Sequence, residues 1–132
     1  MRADFASCNA AALAAQAPER RRAYAALKLA GLDRAPVQLA VFCETAPAEG
    51  RGLGIGTMPE ALAYSTVTAF HGFRLAVCAH GVGVGWVSIL DPARVGALLE
   101  VPASWRLVAY LCVGWPEEIG RASCRERVYT KV

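Results

Sequence analysis

Residues 81 to 92 read Gly81-Val82-Gly83-Val84-Gly85-Trp86-Val87-Ser88-Ile89-Leu90-Asp91-Pro92. Glycine at every second position strips side chains from a turn and the start of a strand, so a planar or bulky group can approach the backbone. Trp86 to Leu90 then reads as a buried strand, and Asp91-Pro92 as an N-cap followed by a first-turn proline. The local physics is a helix end, a bare backbone ledge, one small hydroxyl at Ser88 and a new helix. Such a ledge suits a flat ligand. The same spacing also describes a plain helix-to-strand connection, and spacing alone leaves both readings open.

Outward from this stretch, the preceding segment predicts the longest helix of the chain. Thr57-Met58-Pro59-Glu60 has the pattern of a capping box, and the helix it opens runs to about His80. Leu62, Ala69, Phe70, Phe73, Ala76 and Val77 recur at helical spacing, with Arg74 as the one charge between Glu60 and His80. A helix this apolar around its girth belongs in the centre of a fold or at a subunit interface. Gly81 closes it as a C-prime residue. On the other side, Pro92 to Leu99 predicts a short helix with Val95, Leu98 and Leu99 inward. Arg106 to Trp115 predicts a last strand, ended by Trp115-Pro116.

Further upstream, Ala3 to Ala17 is helical in composition, and Pro18-Glu19 starts a second helix stopped by Gly31. Its run Arg20 to Arg22 reads as a solvated helix start. Ala35 to Glu44 is a near-continuous apolar run, the signature of a strand buried on both faces. Thr45 to Gly56 is a glycine-rich loop without the terminal Lys-Ser/Thr of a phosphate-binding loop.

The 132 residues fit one domain with one modest core. No run of eighteen or more apolar residues and no secretory leader pattern occurs, which makes a cytoplasmic location the expectation. The net charge of +3 carries no hint of nucleic acid. Residues 1–118 hold ten basic and ten acidic side chains, and the whole excess lies in 119–132. Cys8, Cys43, Cys78, Cys112 and Cys124 are scattered without a Cys-x-x-Cys pair, so neither a disulfide framework nor a zinc site is indicated. His71 and His80, nine apart, do not share a metal-binding helical face. Ser88 lacks a Gly-x-Ser-x-Gly elbow. What remains is a ligand ledge without its own acid/base machinery, which suits a cofactor-borne chemistry.

The segments Met58-Pro59-Glu60, Tyr64-Ser65-Thr66-Val67, Gly81 to Pro92 and Leu107 to Pro116 together resemble the flavin-destroying branch of the nitroreductase superfamily, the 5,6-dimethylbenzimidazole synthases. The likeness covers about residues 15–118. It implies an α+β nitroreductase-like fold, a central sheet with a long central helix, and a homodimer with FMN at the subunit interface. It also implies that reduced FMN reacts with dioxygen and is broken down to 5,6-dimethylbenzimidazole, the lower ligand of vitamin B12, releasing erythrose 4-phosphate. By the same resemblance Gly83, Gly85, Trp86, Val87 and Ser88 would lie against the flavin, with Met58 and Ser65 nearby and the Ser88 hydroxyl assisting fragmentation. A neutral hydroxyl there can position groups or relay a proton. The competing reading within the superfamily is an NAD(P)H-dependent flavin reductase or nitroreductase that keeps its FMN intact; a competing reading outside it is a piece unable to hold FMN.

The chain also departs from the branch. The Arg-rich helix start that binds the FMN phosphate and the essential acidic residue have no counterpart here. Residues 119–132 resemble a translated sequencing adapter rather than the family's C-terminal part. The expectation is a partial FMN domain over 1–118, incomplete at both ends, followed by a non-native tail over 119–132. As written, this chain is expected to have little or no activity, because the phosphate-binding start is missing.

Overall fold

A computed structural model describes residues 1–18, Arg21 and 31–116. In order these form α1 (Arg2–Ala14), α2 (Gly31–Arg34), β1 (Val37–Glu44), a 3-10 turn (Glu49–Gly52), α3 (Ala61–Ala79), β2 (Gly83–Val87), α4 (Pro92–Leu98) and β3 (Trp105–Gly114). The fold is α+β, as expected. The second helix expected from Pro18 and the tail over 119–132 lie outside the described residues, apart from Pro18 and Arg21. Arg21 Nε donates to the Gln16 carbonyl at 3.1 Å. Gly31, expected as a helix stop, is itself helical, and the Ala35 N–H donates to its carbonyl at 3.1 Å.

The three strands form one antiparallel sheet in the order β1-β3-β2. Because side chains alternate across a strand, β3 serves two cores. Tyr110 and Cys112 join Phe5 of α1, Leu32 of α2 and Val87 on one side. Ala109, Leu111 and Val113 join Phe70 of α3 on the other, with Trp86, Val84 and Val41 packed around them. The strand expected to be buried on both faces is therefore β3, not β1. Among the described residues β1 lies at an edge, and its Val37 and Leu39 are 47% and 37% exposed. An apolar run reports the tendency to be covered, but sheet order decides which strand is. The end of β1 is latched to the start of β3. The Thr45 N–H and hydroxyl both donate to the Ser104 carbonyl, at 2.8 and 2.7 Å, and the Ser104 hydroxyl donates to Glu44 Oε2 at 2.9 Å.

Helix α3 matches its expected extent, but its start differs. The Thr57 hydroxyl donates to the Gly54 carbonyl at 3.2 Å, closing a turn, and the N-cap Glu60 has no side-chain capping bond. A hydroxyl engaged in a local turn is not available as a capping box. The end matches the expected glycine cap: Gly81 has φ 74°, its N–H meets the Cys78 carbonyl at 2.9 Å, and the Val82 N–H meets the Val77 carbonyl at 3.1 Å. That is a Schellman closure. Phe70 is buried against the sheet and Leu62 and Val77 are half-buried, whereas Ala69, Phe73 and Ala76 are exposed. In α4, Val95 is 1% exposed, but Leu98 is 62% exposed and Leu99 is exposed too, against expectation. With seven residues, α4 presents one narrow stripe, and Val95 takes it.

Tyr110 donates its hydroxyl to Gln38 Oε1 at 2.7 Å, and Gln38 Nε2 donates to the Leu32 carbonyl at 3.1 Å, so this phenol ties β3 and β1 to α2. Burial pushes its pKa above the ordinary 10.0, and the neighbouring Cys112 thiol adds to the rise. A raised acid keeps its proton in the folded state, so its contribution is intact below the ordinary value and is lost as pH rises through the raised one. Tyr110→Phe should cost about 1 kcal/mol at neutral pH through the unpaired Gln38 oxygen. It should also flatten the loss of stability above about pH 10. Denaturant midpoints at neutral and alkaline pH check both, and an unchanged alkaline slope would refute the assignment.

Candidate functional site

The Schellman turn sends the chain directly from α3 into β2, so the two run antiparallel with Trp86 against Phe70. Their rings meet edge to face, centroids 5.2 Å apart at 85°, a favoured aromatic geometry. Pairing sets Gly83 opposite Gly114, Gly85 opposite Cys112 and Val87 opposite Tyr110. The strand expected to reach Leu90 ends at Val87. Val87 is committed to the core with Phe5 and Tyr110, and Trp86 to Phe70. Of the expected ligand-lining stretch, the surfaces left are the glycine backbone and Ser88, whose side chain is exposed.

The bare ledge is narrower than the glycine spacing suggests. A Cβ on Gly81 would meet the Trp115 ring at 3.6 Å. One on Gly83 would meet the Gly114 carbonyl at 3.4 Å and the Pro116 ring at 3.6 Å. Hydrocarbon from the chain itself thus covers these two positions. Gly85 is different: a Cβ there would meet only the Cys112 carbonyl, at 3.9 Å. The open strip is the backbone at Gly85, three residues before the exposed Ser88.

Ser88, Ile89 and Leu90 form a short bridge to α4. Ile89 and Leu90 pack on the cluster of Phe5, Val87 and Tyr110. Asp91 caps α4 as expected, its Oδ1 accepting from the Ala93 and Arg94 N–H groups at 2.9 and 3.4 Å. The Asp91 N–H itself donates to Asp4 Oδ2 at 3.0 Å, and Arg94 Nη1 lies 3.0 Å from Asp4 Oδ1. Asp4 is 7% exposed. Sequence reading gave it no role. The sole signal was an acidic residue in the first turn of an alanine-rich helix, and its partner lies 87 residues away.

Ser65 is exposed on α3, and Met58 is 53% exposed in the turn before it. Ser65 lies five residues before Phe70, about 7.5 Å along the helix. Ser88 lies two residues beyond Trp86, about 7 Å along an extended chain. Since α3 and β2 run in opposite directions, both serines sit towards the same end of the hairpin. Met58 lies on the rim of a cleft of about 460 Å³ with Pro47, Leu53, Ile55 and Leu62. A second cleft, about 280 Å³, is bounded by Cys43, Thr45, Pro59 and Arg106 and shares Ile55 and Leu62. Glu44 beside it is held below its ordinary pKa, first by the Ala46 N–H and then by the Ser104 hydroxyl. No sequence signal singled out these clefts, because they form where the loop before α3 folds back on the start of that helix. Among the described residues no His/Cys/Asp/Glu group could hold a metal ion, and no helix is long and apolar enough to cross a membrane. None of the four described cysteines, Cys8, Cys43, Cys78 and Cys112, is in a disulfide.

Residues 3–115 match the nitroreductase family, and the chain belongs to it. The match begins twelve residues earlier than the resemblance noted above, so α1 is part of the family domain. The chain is 61% identical over 115 residues to 5,6-dimethylbenzimidazole synthase of Rhodospirillum rubrum, an alignment covering 87% of this chain and 54% of that protein. It is 50% identical over 115 residues to a 5,6-dimethylbenzimidazole synthase of Rhodobacter capsulatus, covering 87% of this chain and 56% of the relative. A second Rhodobacter capsulatus protein of that name is 49% identical over 117 residues. The chain spans about half the length of these curated relatives.

Two glycines facing the same side of the sheet should respond oppositely to a methyl group. A Cβ on Gly114 would lie 2.7 Å from Pro36 Cδ, so Gly114→Ala should destabilise by about 1–3 kcal/mol. Gly85→Ala should be neutral or stabilise by up to about 1 kcal/mol, because alanine loses less backbone freedom on folding. Urea titration of both variants checks this, and similar losses in the two would show that Gly85 is packed rather than open.

Proposed function

We propose that the intact protein is a 5,6-dimethylbenzimidazole synthase acting on reduced FMN with dioxygen. The observation that carries this reading is the 61% identity over 115 residues to a protein of that name. An alignment of that length within 132 residues necessarily includes the Gly81–Pro92 stretch. The open strip at Gly85, where an added Cβ would meet only one atom, fits a flat ring laid on the backbone. When bound, reduced FMN supplies the reactivity towards dioxygen and is also the molecule consumed.

This chain's own residues then do three things. Gly85 lets the ring lie on the β2 backbone without a side chain between them. Trp86 and Val87, each locked into a core cluster, keep that backbone rigid. Ser88 offers an exposed hydroxyl three residues beyond Gly85, able to donate or accept one hydrogen bond and so to hold or pass a proton. Met58 and Ser65 line the same end of the α3–β2 hairpin as further contacts. One exposed side of α3, with Tyr64, Val67 and Leu75, is the face a second copy would cover in a homodimer.

The test uses the full-length protein with chemically reduced FMN and dioxygen, following 5,6-dimethylbenzimidazole by mass spectrometry. Product should appear in stoichiometric relation to FMN lost. Ser88→Ala should lower its rate by about tenfold or more, the low end of general acid–base contributions, with the FMN dissociation constant within about threefold. Recovery of intact FMN after NAD(P)H turnover would replace this reading with a flavin reductase. Equal loss of binding and product formation would reduce Ser88 to a structural role.

A further inference from the structure

We propose that Asp4 is a positioning residue for Ser88, setting the orientation of the Ser88–Leu90 bridge from the opposite end of the chain; its bearing on catalysis rests on the flavin reading above. The bridge is fixed at two points. At one, Val87 is held by the ladder to Tyr110 and buried with Phe5. At the other, the Asp91 N–H is held by Asp4 Oδ2 at 3.0 Å. Between them Ile89 and Leu90 are drawn onto the core cluster, while Ser88 is left exposed. Packing by Ile89 and Leu90 is non-directional and holds the bridge down without setting its rotation. The hydrogen bond to Asp91 is directional, and four residues beyond the fixed strand end at Val87 it sets where the peptide planes of the three residues between them face.

Asp4 is suited to this because its own placement is over-determined. Its neighbour Phe5 is in the same core cluster as Val87, and Arg94 Nη1, from the first turn of α4, lies 3.0 Å from its second oxygen. One carboxylate therefore binds α1, the bridge and α4 together. The Asp91 side chain is engaged in capping α4, so the Asp91 amide is the group left for Asp4 to direct.

The experiment uses the flavin-free full-length protein first, so that its outcome does not depend on the reaction. Amide hydrogen exchange of the peptide spanning 87–92 should rise about tenfold or more in Asp4→Ala, as expected for loss of a bond to a charged acceptor, with β3 amides unchanged. Asp4→Asn keeps an acceptor oxygen for Asp91 and should restore most of the protection. It also serves if the alanine variant does not fold, with Arg94→Gln expected to loosen the bridge less than Asp4→Ala would. Exchange at 87–92 equal to the parent in every folded Asp4 variant overturns the proposal. With FMN added, Asp4→Ala should lower the rate of 5,6-dimethylbenzimidazole formation while the FMN dissociation constant stays within about threefold, and should add little once Ser88 is alanine. Full additivity with Ser88→Ala overturns the link to Ser88. If the parent forms no product at all, the proposed function falls, and the exchange result alone decides the positioning role.

Discussion

Strand β3 is hydrogen-bonded on both sides, and its residues Ala109 to Val113 are buried. Alternation along one strand produces two cores back to back: Tyr110 and Cys112 serve α1 and α2, and Leu111 and Val113 serve α3. Every element that shapes the candidate site hangs from one of these. Strand β2 gains its rigidity from the ladder to β3, α3 is seated through Phe70, and α1 through Phe5. Deleting a fully buried leucine side chain costs about 2–5 kcal/mol. A truncation at Leu111 would thus remove a large part of a small domain's stability and loosen both ends of the α3–β2 hairpin.

What was legible in the sequence is what local chemistry decides. The extent of α3, its glycine closure and the Asp91 cap each depend on residues within a few positions, and the structure has them where the sequence placed them. The run from Arg106 reads as a strand for the same reason. What was not legible depends on partners distant in sequence. Apolar runs at 37–43 and 107–113 look equivalent, and only strand order makes β3 central and β1 an edge among the described residues. The Thr57 pattern fits a capping box and a turn equally, and the Gly54 carbonyl took the hydroxyl. Of the candidate site, the bare backbone at Gly85 and the hydroxyl of Ser88 were readable, whereas the exposure of Ser88 beyond the strand end and the contacts of Trp115 and Pro116 at Gly81 and Gly83 were not.

The exposed side of α3 adds a constraint on the intact molecule. Tyr64, Val67, Phe73 and Leu75 all lie on the surface of a helix with a single charged residue in nineteen. Isolated surface hydrophobes are ordinary, but Tyr64, Val67 and Leu75 fall along one side of this helix and together make a larger apolar patch. The hairpin that carries Ser65 and Ser88 thus also carries this patch.

The buried carboxylate of Asp4 is the harder feature to explain by stability. Moving an ion out of water carries an effective penalty of several kcal/mol, and a nearby opposite charge often does little more than balance it. An apolar side chain beside Phe5 could pack against the same cluster at less cost. It could not, however, accept a hydrogen bond from the Asp91 amide, and that amide would then sit without its partner next to α4. Hydrocarbon contacts can compress the Ser88–Leu90 bridge onto the sheet but cannot choose its rotation. The charged acceptor makes sense where orientation, rather than burial, is what the bridge requires, and the side chain whose orientation matters there is the exposed hydroxyl of Ser88.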